Sequence, residues 1–257
     1  MGRAPALLDR HRRPLAAGLF LVLLGYYEAA PHLWRLGVWG DVAWLALVLI
    51  PAVFALVGLA APLLDVRWRL WAGLVFVALA VVLTAVHANV FANFARLGAM
   101  LFIAFWFLEF FDTLGWVVLV ASIIPWVDAY SVWRGPTKSI LTAHPHVFTV
   151  LSFAFPVPGK VSAANLGMPD LFFFSLFFAA SVRFRLRVGW TWLALVASLG
   201  ATIALTVWWN VSGLPALPGI ALGLFLPNAD LIWRRLRGQA GPGDRPQVAL
   251  GRAANDG

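Results

Sequence analysis

Apolar runs of about 20 residues, each long enough to cross the hydrocarbon core of a bilayer as a helix, follow one another along this chain with little between them. Residues 41–64 read DVAWLALVLIPAVFALVGLAAPLL, and residues 69–88 read RLWAGLVFVALAVVLTAVHA. Inside lipid no water is at hand to satisfy backbone N–H and C=O groups, so a spanning segment must pair them internally, as a helix or in a closed barrel. Runs this long and unbroken, without apolar and polar residues in alternation, favour the helix. Eight candidate spans follow, at about 14–34, 41–64, 69–88, 92–112, 114–133, 167–184, 188–209 and 214–233. The expected fold class is therefore all-α: a polytopic membrane helix bundle of about eight transmembrane helices. A large soluble domain does not fit a chain that is 62% hydrophobic and 12% charged, with 14 Trp and 20 Phe. The first span is interrupted by Glu28 and Pro31. Its basic start and apolar run look like a secretion signal, but no clear small-x-small cleavage site follows, so it reads as a retained first helix.

The formal charge is +8. The basic residues sit in short clusters between apolar runs, where they orient helices in a membrane rather than bind nucleic acid. With the N-terminus in the cytoplasm, the inside segments carry 14 Lys and Arg and the outside segments carry 5, the latter being Arg35, Arg96, Arg134, Lys138 and Lys160. The positive-inside rule thus places both termini in the cytoplasm. Arginine outnumbers lysine 17 to 2 in an Ala-, Leu- and Gly-rich chain, a composition that points to a GC-rich bacterial genome and a bacterial cytoplasmic membrane. The expected partners are membrane lipid and proteins with transmembrane helices, and no nucleic acid. Cysteine is absent, which rules out disulfides and thiolate metal sites. His144 and His146 have no third ligand nearby and no H-E-x-x-H pattern, so no metal and no cofactor is expected.

Three regions result: N-terminal transmembrane helices over 1–112, a second group of helices over 113–237, and a cytoplasmic tail over 238–257. The tail is rich in Gly, Pro, Arg and Asp and is expected to be disordered. One long connection, from Arg134 to Leu166, contains HVFTVLSFAFPVP at residues 146–158. That run is too short to span and is expected to be a strand or a re-entrant piece; the plainer alternative is a loop that buries its aromatics.

Two acids stand out. Asp128 lies near the end of the fifth span in IIPWVDAYSVW, and Asp170 opens the sixth in LGMPDLFFFSLF. Because successive spans alternate direction, both carboxylates fall at one depth near the same face. The eighth span begins at that level with LPALPGIALGLF, where Pro215 and Pro218 imply a non-helical start and unpaired backbone groups. Such backbone is tolerated only against protein or a water-filled cavity. An ionisable residue in a span is costly and usually marks a functional site. Two carboxylates that approach closely hold one proton between them, giving a neutral acid beside a carboxylate base that can activate water and protonate a leaving amine. Other polar residues read as structural. His87 is an interface residue, Glu109 and Asp112 are solvated acids at a cytoplasmic helix end, Ser175 and Ser181 pack helices, and most Trp are interface anchors.

The ordered set D-x-x-S-V (Asp128 to Val132), G-x-x-D (Gly167 to Asp170) and P-A-L (Pro215 to Leu217), on three late helices, resembles the presenilin and signal peptide peptidase family of intramembrane aspartic proteases. The resemblance covers roughly residues 114–233. It implies a presenilin-like catalytic half over 113–237, with Asp128 and Asp170 as the catalytic pair. Gly167, Pro215, Ala216 and Leu217 would shape the site and contact substrate. HVFTVLSFAFPV would supply a strand edge for an unwinding substrate helix. The implied function is hydrolysis of peptide bonds in transmembrane segments by a two-aspartate, water-activating mechanism. The helix directions match the signal peptide peptidase orientation. The chain departs from the family in three ways: Val127 stands where an aromatic is usual, Pro169 replaces the glycine before the second aspartate, and eight spans replace nine. The alternative is a non-proteolytic membrane protein, either a proton- or cation-coupled transporter or channel or an inactive helix-binding homologue.

Overall fold

The computed structural model describes residues 4–134, 152–211 and 213–238. The chain forms an antiparallel series of helical rods. In order they are α1 (Ala4–Ala29), α2 (Val38–Trp44) continuing into α3 (Ile50–Leu59), α4 (Arg69–Ala85), α5 (Asn89–Phe107), α6 (Leu114–Arg134), a hairpin of β1 (Ser152–Pro156) and β2 (Ala163–Gly167), then α7 (Met168–Arg183), α8 (Val188–Trp208) and α9 (Leu217–Leu236). Each expected span corresponds to one rod. The α2–α3 rod contains a π-helical turn at Leu45–Leu49. Pro51, in the first turn of α3, has no N–H to offer the carbonyl four residues back, and the wider turn accommodates that loss.

Five helical stretches are long and apolar enough to cross a membrane: His11–His32, Val38–Asp65, Asn89–Phe110, Leu114–Val132 and Val188–Trp208. These mark an integral membrane protein. α4 is apolar but shorter. α7 has 16 residues, about 24 Å along its axis at ~1.5 Å per residue. α9 carries Asn228, Asp230, Arg234 and Arg235 in its last three turns. Large apolar side chains such as Leu47 (75% exposed), Trp71 (70%) and Trp126 (77%) point outward, as side chains meeting lipid do.

The densest helix contacts are α4 with α5, α8 with α9, and α5 with α7, while α6 lies against α9 and touches α7 lightly. One buried apolar cluster runs from Leu23 in α1 to Ile232 in α9, so the N-terminal and C-terminal helices share a core. At its centre the rings of Phe54 and Phe174 lie 3.9 Å apart.

The long connection is neither wholly strand nor wholly loop. Residues 135–151, including His144 and His146 and the first half of HVFTVLSFAFPV, lie outside the described residues, as does the tail from 239. Within the described part, SFAFP is strand β1, paired antiparallel with AANLG, with Ser152 opposite Gly167 and Pro156 opposite Ala163. β2 was not anticipated from the sequence: Ala, Asn and Gly have low strand propensity, and the ladder to β1 supplies what local preference does not. Phe153 and Phe155 bury one face of β1 completely, against Tyr27 and Phe94. The turn is fastened to the α1–α2 connection and to α2 itself. Gly159 N–H donates to the Ala30 carbonyl at 2.7 Å, Arg35 Nε donates to the Gly159 carbonyl, and Lys160 pairs with the buried Asp41 at 2.5 Å. Gly159 has φ +68° and a Cβ there would sit 2.7 Å from the Leu33 carbonyl oxygen, so only glycine fits.

Candidate functional site

Three helix ends meet at the hairpin end of the bundle: the last turns of α6 and the starts of α7 and α9. Asp128 lies six residues before the end of α6 at Arg134, about 9 Å from it. It is half-buried and turned toward α9, where its Oδ2 accepts the Leu217 N–H at 3.0 Å. Ala216 N–H also faces this carboxylate. The first N–H groups of any helix have no partner within it, and they carry the positive end of the helix dipole. A carboxylate from α6 meets both needs.

The same solution appears at α7 within a single segment. Gly167 is the N-cap, in extended conformation (φ −61°, ψ 147°), and Asp170 stands three residues on. Its carboxylate reaches back to accept the Gly167 N–H, which is half of a capping box. A Cβ on residue 167 would lie 3.2 Å from Asp170 Oδ2, so glycine at this position lets the carboxylate fold down onto the backbone. Pro169 sits in the first turn, where its missing N–H has no intrahelical acceptor to serve and its fixed φ suits the helix. Asp170 can open a run of Leu, Phe, Phe and Phe because its carboxylate is engaged by the backbone at the start of its own helix.

Both acids lie at this junction, and the charge of Asp128 acts on Asp170. Among the described residues neither forms an ion pair with Lys or Arg, and no group of three or more His, Cys, Asp and Glu could hold a metal ion. What the site presents is two acids at one helix junction, each accepting backbone N–H groups. Such a pair can keep one proton and exchange it with a bound water or peptide.

Every residue singled out in the sequence motifs falls at this junction. Leu217 and Ala216 touch Asp128 through their backbone, and Pro215 belongs to the non-helical segment that delivers them. Pro218 occupies the first turn of α9, as Pro169 does in α7. Leu217 and Ala216 are buried, so their contribution to the site is made by main chain. Away from the junction, Glu109 pairs with Arg69, Asp112 and His87 are exposed, and Ser175 and Ser181 are fully buried among helices. An apolar hollow of about 300 Å³ lined by Phe20, Leu56, Leu79, Phe91 and Gly98 lies in the N-terminal half and includes neither aspartate.

Sequence reasoning missed the residues that hold the hairpin beside Asp170: Tyr26, Asn93 and Arg96. Asn93 lies in α5 and is 3% exposed. An asparagine inside an apolar helix was the available signal, because a buried amide needs partners. Comparison with known proteins gives no match: no family model, no curated protein and no solved structure aligns with the chain.

Proposed function

We propose that this protein is an intramembrane aspartic protease of presenilin and signal peptide peptidase type, which hydrolyses peptide bonds in transmembrane segments. The observation that carries it is that Asp128 and Asp170 meet at one helix junction, within range of each other's charge and without a cationic partner among the described residues. Acids kept only for charge balance at a membrane boundary are normally matched by Arg or Lys, and a pair left unmatched is suited to sharing a proton. One carboxylate takes a proton from water as the water attacks the peptide carbonyl, and the other, protonated, gives its proton to the leaving amine. About eight helices would span the bilayer, both termini in the cytoplasm. Substrates would be single helices whose N-terminus is cytoplasmic, and neither metal nor cofactor is required.

A helix must unwind before its peptide bonds can be attacked, and an extended segment is best held by adding to a sheet edge. The edge proposed for this is β2, a revision of the expectation that HVFTVLSFAFPV would offer it. Ala154 turns both its N–H and its carbonyl away from β2, toward Asn93. Its opposite number Asn165 therefore turns its own two groups away from β1, to the outside of the hairpin. No described residue pairs with them. β2 leads directly into Gly167 and Asp170, so a segment added there lies alongside the acids.

A second reading is favoured by the backbone bonds themselves: both carboxylates already serve as helix caps, as they would in a helix-binding homologue without proteolysis. Asparagine separates the two readings, since its carboxamide oxygen accepts the same N–H but cannot exchange the proton. Cleavage of a single-span peptide in reconstituted vesicles is expected to vanish in Asp128→Asn and Asp170→Asn while thermal stability is kept. Equal cleavage by parent and variants would reject the proteolytic reading, and ion flux without cleavage would favour transport.

A further inference from the structure

We propose that Asn93 is a positioning residue that closes the outer edge of β1, so that an extended segment can add to the hairpin only at β2. The role rests on the proteolytic reading above. An antiparallel hairpin has two open edges, and a substrate strand that could choose either would present different peptide bonds to the acids. Here one edge is already occupied. Asn93 Oδ1 accepts the Ala154 N–H at 2.8 Å, and Asn93 Nδ2 donates to the Ala154 carbonyl at 2.9 Å, so the side-chain amide stands in for one residue of a neighbouring strand. On one side of it Arg96 Nη1 donates to the Ser152 carbonyl at 3.3 Å, its Nη2 being fixed by Thr84 Oγ1 at 3.0 Å. On the other side Tyr26 O–H donates to the Pro156 carbonyl at 2.9 Å and accepts from Trp44 Nε1. Pro156 has no N–H to leave open.

These side chains come from α1 and α5, which the sequence motifs of the site do not include, and they close the edge with side chains rather than a strand. Asn93 is the central element. It alone engages both groups of one β1 residue, and at 3% exposure its amide cannot turn to water if the pairing is lost. An unpaired buried amide is expensive, so the hairpin is held in one register beside Asp170.

The chain contains no cysteine, so single cysteines can be placed at Asn165 on β2 or Ala154 on β1 in the full-length protein. The probe is a synthetic Leu- and Ala-rich single-span peptide with a central Gly-Gly and one cysteine, reconstituted with the protein in vesicles and treated with a short bis-maleimide. Cross-linking is read in an Asp128→Asn background, and cleavage products are read by mass spectrometry with the acids intact. Expected is cross-linking at Asn165→Cys and little at Ala154→Cys. In Asn93→Leu the Ala154→Cys product should rise at least about fivefold, and cleavage at one peptide bond should spread over several, as a change of strand register requires. Loss of stability alone would lower all products without spreading them. Should Asn93→Leu not fold, Asn93→Asp, which keeps an acceptor for Ala154 N–H but sets a second oxygen against the Ala154 carbonyl in place of the donor, is expected to give the same changes. Equal cross-linking at the two positions in the parent, or unchanged cross-linking and cleavage position in the Asn93 variants, overturns the proposal. Cleavage by a parent indifferent to Asn93 overturns this role alone, whereas a parent that never cleaves the peptide overturns the proteolytic reading with it.

Discussion

The two ends of the bundle treat their carboxylates differently. At the end where α7 finishes and α8 begins, Asp230 lies between Arg187 and Arg234, with contacts of 2.8 to 2.9 Å, and Glu109 lies against Arg69. At the hairpin end Asp41 is matched by Lys160, yet Asp128 and Asp170 have backbone N–H groups and each other. An acid held by arginine is fixed as an anion and is chemically idle. An acid held by amide donors beside a second acid keeps a proton within reach, which is the condition for acid–base work. Under the proposed function, the acids matched by Arg or Lys at either end are structural, and the two held by backbone N–H groups at the hairpin end are the ones put to use.

The sharpest way to break that contrast is to replace each acid by its amide. Asp128→Asn and Asp170→Asn should each lower cleavage of a single-span peptide by about 1,000-fold or more, toward the upper part of the range for loss of an acid–base group. Asp230→Asn should leave cleavage unchanged. A protein in which Asp230→Asn is the damaging change would have the contrast reversed. The pair also predicts a bell-shaped dependence of cleavage on pH with two apparent pKa values that belong to both acids jointly; a rate flat across the acidic range would show that the proton is not shared.

The matched acids test the other side. Lys160→Met strands the buried Asp41 and should destabilise the protein by about 2–3 kcal/mol, below the ~3–5 kcal/mol for a fully buried pair because Lys160 is partly exposed. The double change Lys160→Met with Asp41→Leu should recover most of it, read as thermal midpoints in one detergent. Asn228 provides a neutral comparison at the opposite end. Fully buried, it accepts the Arg187 N–H and donates to Thr191 Oγ1 and the Leu224 carbonyl. Asn228→Leu should cost about 1–3 kcal/mol by leaving those groups unpaired, with cleavage position unchanged. Asp230→Asn should shift the thermal midpoint least, since its ion pairs are solvent-exposed and screened.

How much of this was legible in the sequence differs by residue. The rods were legible because helix is forced on an apolar segment by its own backbone, wherever its neighbours lie. α4 was expected at 69–88 and runs Arg69–Ala85, and α8 was expected at 188–209 and runs Val188–Trp208. The late start of α9, at Leu217 rather than 214, reflects Pro215, after which a helix can only begin afresh. β2 was not legible, since AANLG has no strand pattern of its own, and neither was the occupied edge of β1. Asn93 and Ala154 are 61 residues apart, and nothing near either residue announces the other.

Taken alone, the amino-acid order determined that this chain is helical, that it belongs in a bilayer, and that two aspartates occupy helix ends at one level. Those are consequences of apolar length and alternating direction, which are local or additive along the chain. The tertiary structure decided which N–H groups the aspartates accept, that they lie within reach of each other's charge, and that the β1 edge of the hairpin is occupied by Asn93. Each of those is a hydrogen bond or field between distant segments, and its existence depends on where packing places the partner.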